Sequence, residues 1–433
     1  MRGKKIISTL IVATLLGSLT ACSSNEEAKE NNVGGNKTNS KKEFIIYNCA
    51  GATEYHNTIV VEEFKKLYGD KYNVKYEDLS AADVISKIEA QGFEKGKGNV
   101  NIVIMGDSDV PKGLKAGIFS ELSDYEDELN IDELEDIALR NYNDLDKSAL
   151  PIMNGIGRPG IAYMPNTEVG ARLDALVGDD GEITYEELKD FTLNDESDVK
   201  MGRGRITNSG PGDSWTWGVL QSQGEYGVDE VPQKSIDWVK EFYEGGHVSI
   251  YDSTSATFKD LAEGSVDYIP HSLGWYYRLY ALGKANDTLP ENLKVDSFGL
   301  ENSKFALMTG DGVDDLAGGH FYMIPSNLSD EDFEASLEYL KMASTAEINS
   351  QTYTSLMQPS YKYSSITKVT NEDILTVWNE VSKYYPECYL IEKDGVKQLG
   401  VEDASKVGDG IKDVNLITIY STAWKDQLES NMK

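Results

Sequence analysis

The segment 209–217 (SGPGDSWTW) combines residue types suited to holding a small polar solute. Its glycines let a backbone approach a ligand closely, and Asp213 or Ser214 stands where a helix would begin. The two tryptophans, Trp215 and Trp217, matter because a tryptophan face stacks on a sugar ring or on a cation. We therefore expect Asp213, Ser214 and Trp215 to contact a solute, with at least one of the two tryptophans packing in the core instead.

Three further loops carry hydroxyl, imidazole or carboxylate groups next to predicted strands and helices. Their candidate solute-binding side chains are Thr53, His56, Asp107, Ser108, Asp109, Ser253 and Ser255. Carboxylates in such loops can receive hydroxyls or an ammonium group, whereas Ser and Asp at the same places also serve as helix caps. Thr53 and His56 have a plainer alternative, a tight turn with a surface histidine. The sequence leaves these alternatives open.

The aromatic sequence HSLGWYYR allows two interpretations. In the first, Trp275 and Tyr276 form an aromatic wall beside a solute, with Tyr277 next to them. In the second, the adjacent Tyr276 and Tyr277 resemble the phenolate ligands of ferric-iron binding proteins. That resemblance would assign His56 and Asp107 to the same metal. We favour the wall, because His56 lies later in its loop than the resemblance requires.

Motifs of nucleophilic and metal-dependent hydrolases are missing from the sequence. There is no G-x-S-x-G and no H-E-x-x-H pattern, and the four histidines show no metal-ligand spacing. Carboxylate pairs are too common in so acidic a chain to indicate a glycosidase. We expect a binding protein with no catalytic site, cofactor or resident metal, and a surface-anchored hydrolase is the weaker alternative.

The composition is strongly acidic. The chain has 73 Asp and Glu against 41 Lys and Arg, a formal net charge of −32 at pH 7. Because a phosphate backbone is bound through clustered Lys and Arg, we expect no nucleic-acid partner. The acidity suits the solubility of an extracellular protein, and it would also concentrate cationic small molecules near the surface.

The N-terminal sequence predicts export and anchoring. Basic residues precede an apolar run from Ile6 to Leu19, which is shorter than the ~20 residues of a membrane-spanning helix and is typical of a secretory signal. The run leads into Leu-Thr-Ala-Cys, which resembles the bacterial lipoprotein box. That resemblance implies that residues 1–21 are a signal peptide and that Cys22 carries diacylglycerol. Residues 22–42 are mostly polar, and this composition predicts a disordered tether.

After the tether, apolar runs of strand length alternate with helical patterns. Strands are predicted at 43–49, 73–79 and 100–105, with helices at 59–67 and 81–92 between them. A β-α-β-α-β order at this spacing predicts a parallel sheet with helices on its faces.

The remainder of the chain continues this mixture of elements. Helices are predicted at 184–191, 214–223, 235–243, 258–263, 330–343, 371–384 and 411–428, and strands at 161–165, 266–269, 305–308 and 321–324. Ser329 is placed to cap the helix that follows it. Thr184 and Glu187 have the spacing of a capping box.

Several segments, in this order, resemble the substrate-binding proteins of ABC importers. They are 100–106 (VNIVIMG), 115–119 (KAGIF), 158–165 (RPGIAYMP), 184–188 (TYEEL), 258–267 (FKDLAEGSVD) and 318–325 (GGHFYMIP). With the lipoprotein box and the tether before them, they resemble an extracellular solute-binding lipoprotein of the family 1 type. Some features are similar to the polyamine, thiamine and iron subgroup.

The resemblance implies an α/β fold of two lobes, joined by crossing hinge strands, with a ligand cleft between them. We expect lobe 1 to hold residues 43–160 and about 268–325, and lobe 2 to hold 161–267 and about 326–433. His320, in the last of the matching segments, joins the candidate ligand-binding residues. The implied partners are a small solute, permease subunits and, through the lipid, the extracellular face of the bacterial membrane. The protein is expected to be a monomer.

A carbohydrate is the first expected solute. The chain has 25 tyrosines and 6 tryptophans, which suit ring stacking while Asp, Asn and Arg side chains bind hydroxyls. An organic cation such as a polyamine or thiamine comes second, because the early strands and the 158–165 segment resemble that subgroup. Ferric iron is third.

Overall fold

The computed structural model describes residues 41–51, 53–106, 109–134, 136–157, 159–194, 198–204, 218–219, 222–223, 233–251, 254–291, 294, 297–310, 316–350, 372–385, 387, 390–393 and 396–399. The expected signal peptide, Cys22, all but the last two residues of the tether and the predicted helix at 411–428 lie outside this part of the chain. No helix within it is long and apolar enough to cross a membrane.

Five strands form the first sheet, in the order β2-β1-β3-β11-β4. They are β1 (Lys42–Asn48), β2 (Tyr72–Asp78), β3 (Ile102–Gly106), β4 (Leu150–Gly157) and β11 (Leu316–Met323). β1 pairs in parallel with β2 and β3, as the β-α-β-α-β pattern predicts. β11 is distant in sequence from the other four strands and pairs antiparallel with β3 and β4.

Six strands form the second sheet, in the order β6-β10-β5-β9-β7-β8. They are β5 (Pro159–Tyr163), β6 (Glu182–Thr184), β7 (Met201–Gly204), β8 (Val248–Tyr251), β9 (Tyr268–Ser272) and β10 (Lys304–Thr309). A separate hairpin consists of β12 (Leu390–Lys393) and β13 (Val396–Leu399). β4 ends in the first sheet at Gly157 and β5 begins in the second at Pro159, so the chain passes between the sheets at the start of the 158–165 segment that resembles the binding proteins.

Helices connect most of the strands. They are α1 (Thr53–Tyr55), α2 (Glu62–Tyr68), α3 (Ala81–Gln91), α4 (Val110–Lys115), α5 (Glu126–Leu129), α6 (Asp136–Asp144), α7 (Glu168–Val177), α8 (Tyr185–Asn194), α9 (Gln233–Glu244), α10 (Thr254–Glu263), α11 (Leu273–Ala285), α12 (Asp330–Ala343), α13 (Ala346–Ser350) and α14 (Glu372–Val381). A π-helical segment (His56–Val61) joins α1 to α2.

Side chains of β1 alternate between two apolar layers. Phe44 and Ile46 face α2 and α12, and the rings of Phe64 and Tyr339 lie 4.6 and 5.8 Å from the Phe44 ring between centroids. Ile45 faces the opposite layer with α3. Because successive residues of a strand point to opposite faces, helices cover this mostly parallel part of the sheet on both sides.

Both predicted helix caps are confirmed. The Ser329 hydroxyl accepts a hydrogen bond from the Asp332 N–H (3.2 Å) at the start of α12. The Thr184 hydroxyl accepts from the Glu187 N–H (3.2 Å), and the Glu187 carboxylate accepts from the Thr184 N–H (2.9 Å). These reciprocal bonds are the capping box that the spacing predicted.

The sheets divide the chain differently from the expected lobes. β9 and β10 fall within 268–325, which we assigned to lobe 1, yet both strands belong to the second sheet. α12 falls within 326–433, assigned to lobe 2, yet its Tyr339 and Leu340 pack in the core of the first sheet. We expected the chain to return to the first sheet at about residue 268, where β9 begins. It returns later, with β11, after β9 and β10 have both joined the second sheet. Strand patterns in a sequence do not reveal which sheet a strand joins.

Candidate functional site

The carboxyl ends of β1 and β2 bring an amide, a hydroxyl and a carboxylate together. Asn48 and Asp78 are paired at the ends of these parallel strands. The Asn48 amide donates to Asp78 Oδ1 (2.7 Å) and to the Gly51 carbonyl (2.9 Å). The Thr53 hydroxyl also donates to Asp78 Oδ1 (3.2 Å). Asn48 is buried and Asp78 is exposed, so the carboxylate is fixed by its neighbours and open to solvent.

Sequence reasoning included Thr53 at this edge and missed Asp78. The sequence did contain an indication of Asp78, because this residue lies near the end of the second predicted strand, 73–79. The carboxyl ends of neighbouring parallel strands meet at one edge, where ligands of open α/β sheets bind.

His56 opens the π-helical segment that follows α1. Its Nδ1 lies 2.7 Å from the Tyr322 hydroxyl and its Nε2 lies 3.0 Å from His320 Nδ1. Its side chain is fully buried. The expectation that His56 contacts a solute does not fit this packing, because both ring nitrogens are already hydrogen-bonded. π-helical turns occur often at functional sites, and here the turn directs the imidazole toward β11.

His320 lies at a β-bulge on the same edge of the sheet. It is opposite Gly106, the last residue of β3, and the register between β11 and β4 shifts between His320 and Phe321. The extra residue on β4 is Ile152, whose carbonyl accepts a hydrogen bond from the Asn349 amide (2.7 Å). Bulges are common beside functional sites, where they redirect side chains. His320 is partly exposed.

Desolvation lowers the pKa of both imidazoles and so favours their uncharged form. The pKa of His320 falls from 6.5 to about 4 because of desolvation. Desolvation, with a smaller contribution from His320, holds the pKa of His56 well below its ordinary value. Burial disfavours the charged form of histidine, so at neutral pH the pair offers hydrogen bonds without charge.

Asp109 follows β3 in front of α4. Its Oδ1 lies 2.6 Å from Lys112 Nζ, and its side chain makes no capping hydrogen bond. The carboxylate is therefore paired within its own helical turn, and a solute would have to compete with that lysine.

Tyr276 is a core residue of the second sheet. Its side chain is almost fully buried, its hydroxyl lies 3.0 Å from Ser303 Oγ, and its ring centroid is 4.7 Å from that of Phe305. Burial raises the pKa of Tyr276 well above its ordinary value. The expectation that Tyr276 contacts a solute does not fit this packing, because its ring and its hydroxyl both have partners in the core.

Tyr277 is partly buried between two apolar clusters. Its ring centroid lies 6.0 Å from that of Phe305 and 6.4 Å from that of Tyr385. Tyr276 and Tyr277 thus pack into the protein instead of facing a solute.

A buried histidine that sequence reasoning did not select lies near the end of β9. His271 is 1% exposed, its Nδ1 donates to the Ser272 carbonyl (3.0 Å), and its Nε2 has no hydrogen-bond partner. Its ring centroid is 4.7 Å from that of Phe258 in α10. No residue spacing in the sequence indicates this burial.

Asp107, Ser108, Asp213, Ser214, Trp215 and Ser253 lie outside the described residues, and so do the side chains of Ser255 and Trp275. In the described part of the chain, no group of three or more His, Cys, Asp or Glu side chains is arranged to hold a metal ion.

Comparison with solved structures shows the fold. An ABC transporter protein from Clostridium perfringens ATCC 13124 is similar over 90% of this chain and 100% of its own, with 14% identity and a TM-score of 0.57. A ferric binding protein from Campylobacter jejuni is similar over 89% of this chain and 99% of its own, with 12% identity and a TM-score of 0.57. At such identities the likeness establishes a two-lobed α/β binding-protein fold.

The family is shown by sequence. No curated protein sequence matches the chain, but the family described as bacterial extracellular solute-binding protein matches residues 60–375. That range includes both sheets except β1, and it contains Asp78 and His320. The chain therefore belongs to the family of bacterial extracellular solute-binding proteins.

Proposed function

We propose that this protein captures a small polar solute, a carbohydrate as first candidate, and delivers it to the permease of an ABC importer. The observation that carries this proposal is the mixed polarity of one sheet edge. Asp78 offers carboxylate oxygens as acceptors, while Thr53 and His320 carry groups able to donate. A sugar hydroxyl both donates and accepts, so an edge with both kinds of group suits it.

An organic cation is the second candidate, and Asp78 favours it. The carboxylate is exposed, and Asn48 and Thr53, which donate hydrogen bonds to it, are both neutral. An ammonium group would form a charge-assisted hydrogen bond there. The imidazoles of His56 and His320 at the same sheet edge are neutral, however, and add no charge that would attract a cation.

Ferric iron is the third candidate. Its predicted ligand set included Tyr276 and His56, and both side chains have their polar atoms hydrogen-bonded inside the protein. A phenolate ligand would also require Tyr276 to lose its proton, although burial raises its pKa. The Campylobacter jejuni protein described as a ferric binding protein shares the fold with this chain. Ferric iron is therefore included in the binding experiment below.

The solute class is tested by thermal shift of the purified chain with sugars, polyamines, thiamine and ferric iron. A ligand at 100 times its dissociation constant adds ~2.7 kcal/mol to the native state, which moves the melting midpoint measurably. We expect a shift with a sugar. A shift with an amine or with iron alone would replace the first candidate, and no shift with any compound would contradict the proposed capture of these solute classes.

The variant Asp78→Asn distinguishes a bound sugar from a bound cation. Glu77→Gln, on the same strand, is the matched control. Both residues are exposed. If a sugar binds, Asp78→Asn weakens binding and the affinity depends little on salt. If a cation binds, the loss is larger and the wild-type affinity falls as salt screens the charges. Equal affinity in the wild type and in both variants would place the solute elsewhere.

We also propose that Cys22 carries the lipid that anchors the protein at the extracellular face of the membrane. The support is the Leu-Thr-Ala-Cys sequence after a secretory signal, and two acyl chains give durable anchoring. Cys22→Ala should release the protein from the membrane fraction and abolish labelling with a fatty acid. Cys49→Ala, at a free cysteine near the end of β1, should leave both unchanged. Labelling that survives Cys22→Ala would contradict the anchor.

A further inference from the structure

The Thr53 hydroxyl lies in front of both oxygens of the Asp78 carboxylate. Its Oγ1 is 3.2 Å from Asp78 Oδ1 and 3.3 Å from Asp78 Oδ2. Because the two distances are nearly equal and both contacts are hydrogen bonds, the hydroxyl lies between the oxygens and beyond them, in the fork of the carboxylate. A carboxylate only accepts hydrogen bonds, so Thr53 is the donor and its one proton is shared by the two oxygens.

Asn48 provides a second donor to the same carboxylate. Its Nδ2 donates to Asp78 Oδ1 (2.7 Å) and to the Gly51 carbonyl (2.9 Å), and its Oδ1 accepts from the Ala50 N–H (3.0 Å). A reversed amide would place its oxygen against a carboxylate and a carbonyl, and its NH2 group against an N–H. Only the observed orientation satisfies all three neighbours, so the donor to Asp78 Oδ1 is fixed.

Tyr76 closes the inner side of this cluster. It lies two residues before Asp78 on β2, and its hydroxyl is buried. Burial raises the pKa of Tyr76, and the neighbouring Asp78, Thr53 and Asn48 also affect it. Asp78 itself is exposed, so a solute reaches its carboxylate from the solvent side.

We propose that Thr53 is a specificity-determining residue, because its hydroxyl fills the fork of the Asp78 carboxylate and leaves room for one solute donor outside the fork. The inference rests on the proposed capture of a solute at Asp78 and adds which donors that solute presents. A single hydroxyl or a primary ammonium group satisfies such a contact.

The solutes that this arrangement disfavours carry two parallel N–H donors. A guanidinium or amidinium group binds a carboxylate through two hydrogen bonds, one to each oxygen, across the fork. With Thr53 in the fork and Asn48 on Oδ1, this paired contact cannot form. An ammonium group is a compact point charge and needs only one oxygen, as a sugar hydroxyl does. We therefore expect the site to select hydroxyl or ammonium donors over guanidinium donors.

Three substitutions of Thr53 separate the filling of the fork from the hydrogen bond made there. Thr53→Ala empties the fork, Thr53→Val fills it without a hydroxyl, and Thr53→Ser retains the hydroxyl. Putrescine and agmatine are matched probes, because they share an aliphatic chain with an ammonium group at one end. At the other end putrescine carries a second ammonium group and agmatine a guanidinium group.

Calorimetric titration of the purified full chain and its variants at low salt measures both probes. We expect Thr53→Ala to bind agmatine about tenfold more tightly than the wild type does, the effect of about one added hydrogen bond to a charged group. Its putrescine affinity should stay within a few-fold of the wild-type value, and Thr53→Ser and Thr53→Val should show no gain for agmatine. Adding Asp78→Asn to Thr53→Ala should abolish the gain.

Agmatine bound no more tightly by Thr53→Ala than by the wild type would overturn the inference. A gain of the same size in Thr53→Val, or a gain that survives Asp78→Asn, would overturn it as well. The proposed function fails separately. If Asp78→Asn weakens binding of a compound from the thermal-shift panel but Thr53→Ala gains no agmatine affinity, the solute site stands and only the role of Thr53 is wrong. If Asp78→Asn leaves that binding unchanged, the proposed site itself is wrong.

Discussion

His271 is expected to make the protein sensitive to acid. Its burial lowers the pKa of its imidazole from 6.5 to about 4, opposed only by its hydrogen bond to the Ser272 carbonyl. Between these two values the unfolded chain binds a proton at His271 that the folded chain does not. Stability therefore falls as the pH drops through this window and is unaffected above it. We expect His271→Gln, which cannot titrate, to lose less stability on acidification than the wild type does.

The size of the difference follows from the pKa shift. One pKa unit corresponds to about 1.36 kcal/mol, so the full shift is about 3.4 kcal/mol. At pH 5.0 the unfolded state is almost fully protonated at this position and the folded state only slightly, which gives a loss of about 2 kcal/mol relative to pH 7.5. His56 and His320 act in the same direction in both proteins, so comparing the wild type with His271→Gln isolates the contribution of His271.

Urea unfolding at pH 7.5 and pH 5.0 measures the effect. Both values lie above the sequence pI of about 4.5, where loss of net charge would promote association. Ser303→Ala is the matched control, because it removes a neutral partner from Tyr276 in the same region and should shift stability equally at both pH values. If the wild type and His271→Gln lose the same stability between pH 7.5 and 5.0, His271 is not desolvated in solution.

Two further predictions concern local structure. Ser329→Ala removes the acceptor of the Asp332 N–H at the start of α12 and should lower the free energy of unfolding by about 1 kcal/mol. Ser329→Asp keeps an acceptor and should retain most of the wild-type stability. Equal urea midpoints for Ser329→Ala and the wild type would contradict the cap. Gly170→Ala should destabilise although alanine favours helices, because a Cβ there would clash with the Met164 carbonyl oxygen. We expect a loss of about 1–3 kcal/mol from this overpacking, with exposed Glu168→Ala as control, and a stabilised Gly170→Ala would refute the close contact.

The first half of the fold could be predicted closely from the sequence. The strand predicted at 43–49 is Lys42–Asn48, and the helix predicted at 81–92 is Ala81–Gln91. These elements have strong local signals, namely alternating or helical spacing of apolar residues and a serine cap. The strand Leu150–Gly157 was missed, because proline, asparagine and two glycines within it conceal its period. Its place in the sheet depends on pairing with β11, which comes more than 150 residues later.

The site was harder to predict because its geometry depends on long-range pairing. His56 and His320 were both selected for their chemistry, but their contact joins residues 264 positions apart, and no spacing rule links them. Tyr276 was selected as an aromatic facing a solute and is instead a core residue, since an aromatic ring gives the same sequence signal in either role. Asp78 was missed although it lies near the end of a predicted strand, because an acidic chain has many carboxylates and this position alone distinguishes it from the others.

Specificity in this protein cannot come from its net charge. A charge of −32 attracts cations to the whole surface, and salt screens that attraction beyond about 8 Å at physiological ionic strength. A selective site therefore needs groups whose direction is fixed by covalent and hydrogen-bonded structure. The first sheet supplies two such groups at one edge: a carboxylate oriented by Asn48 and Thr53, and an imidazole oriented by His56. One group accepts hydrogen bonds and the other is neutral, and this combination supports the proposed sugar over a bare cation.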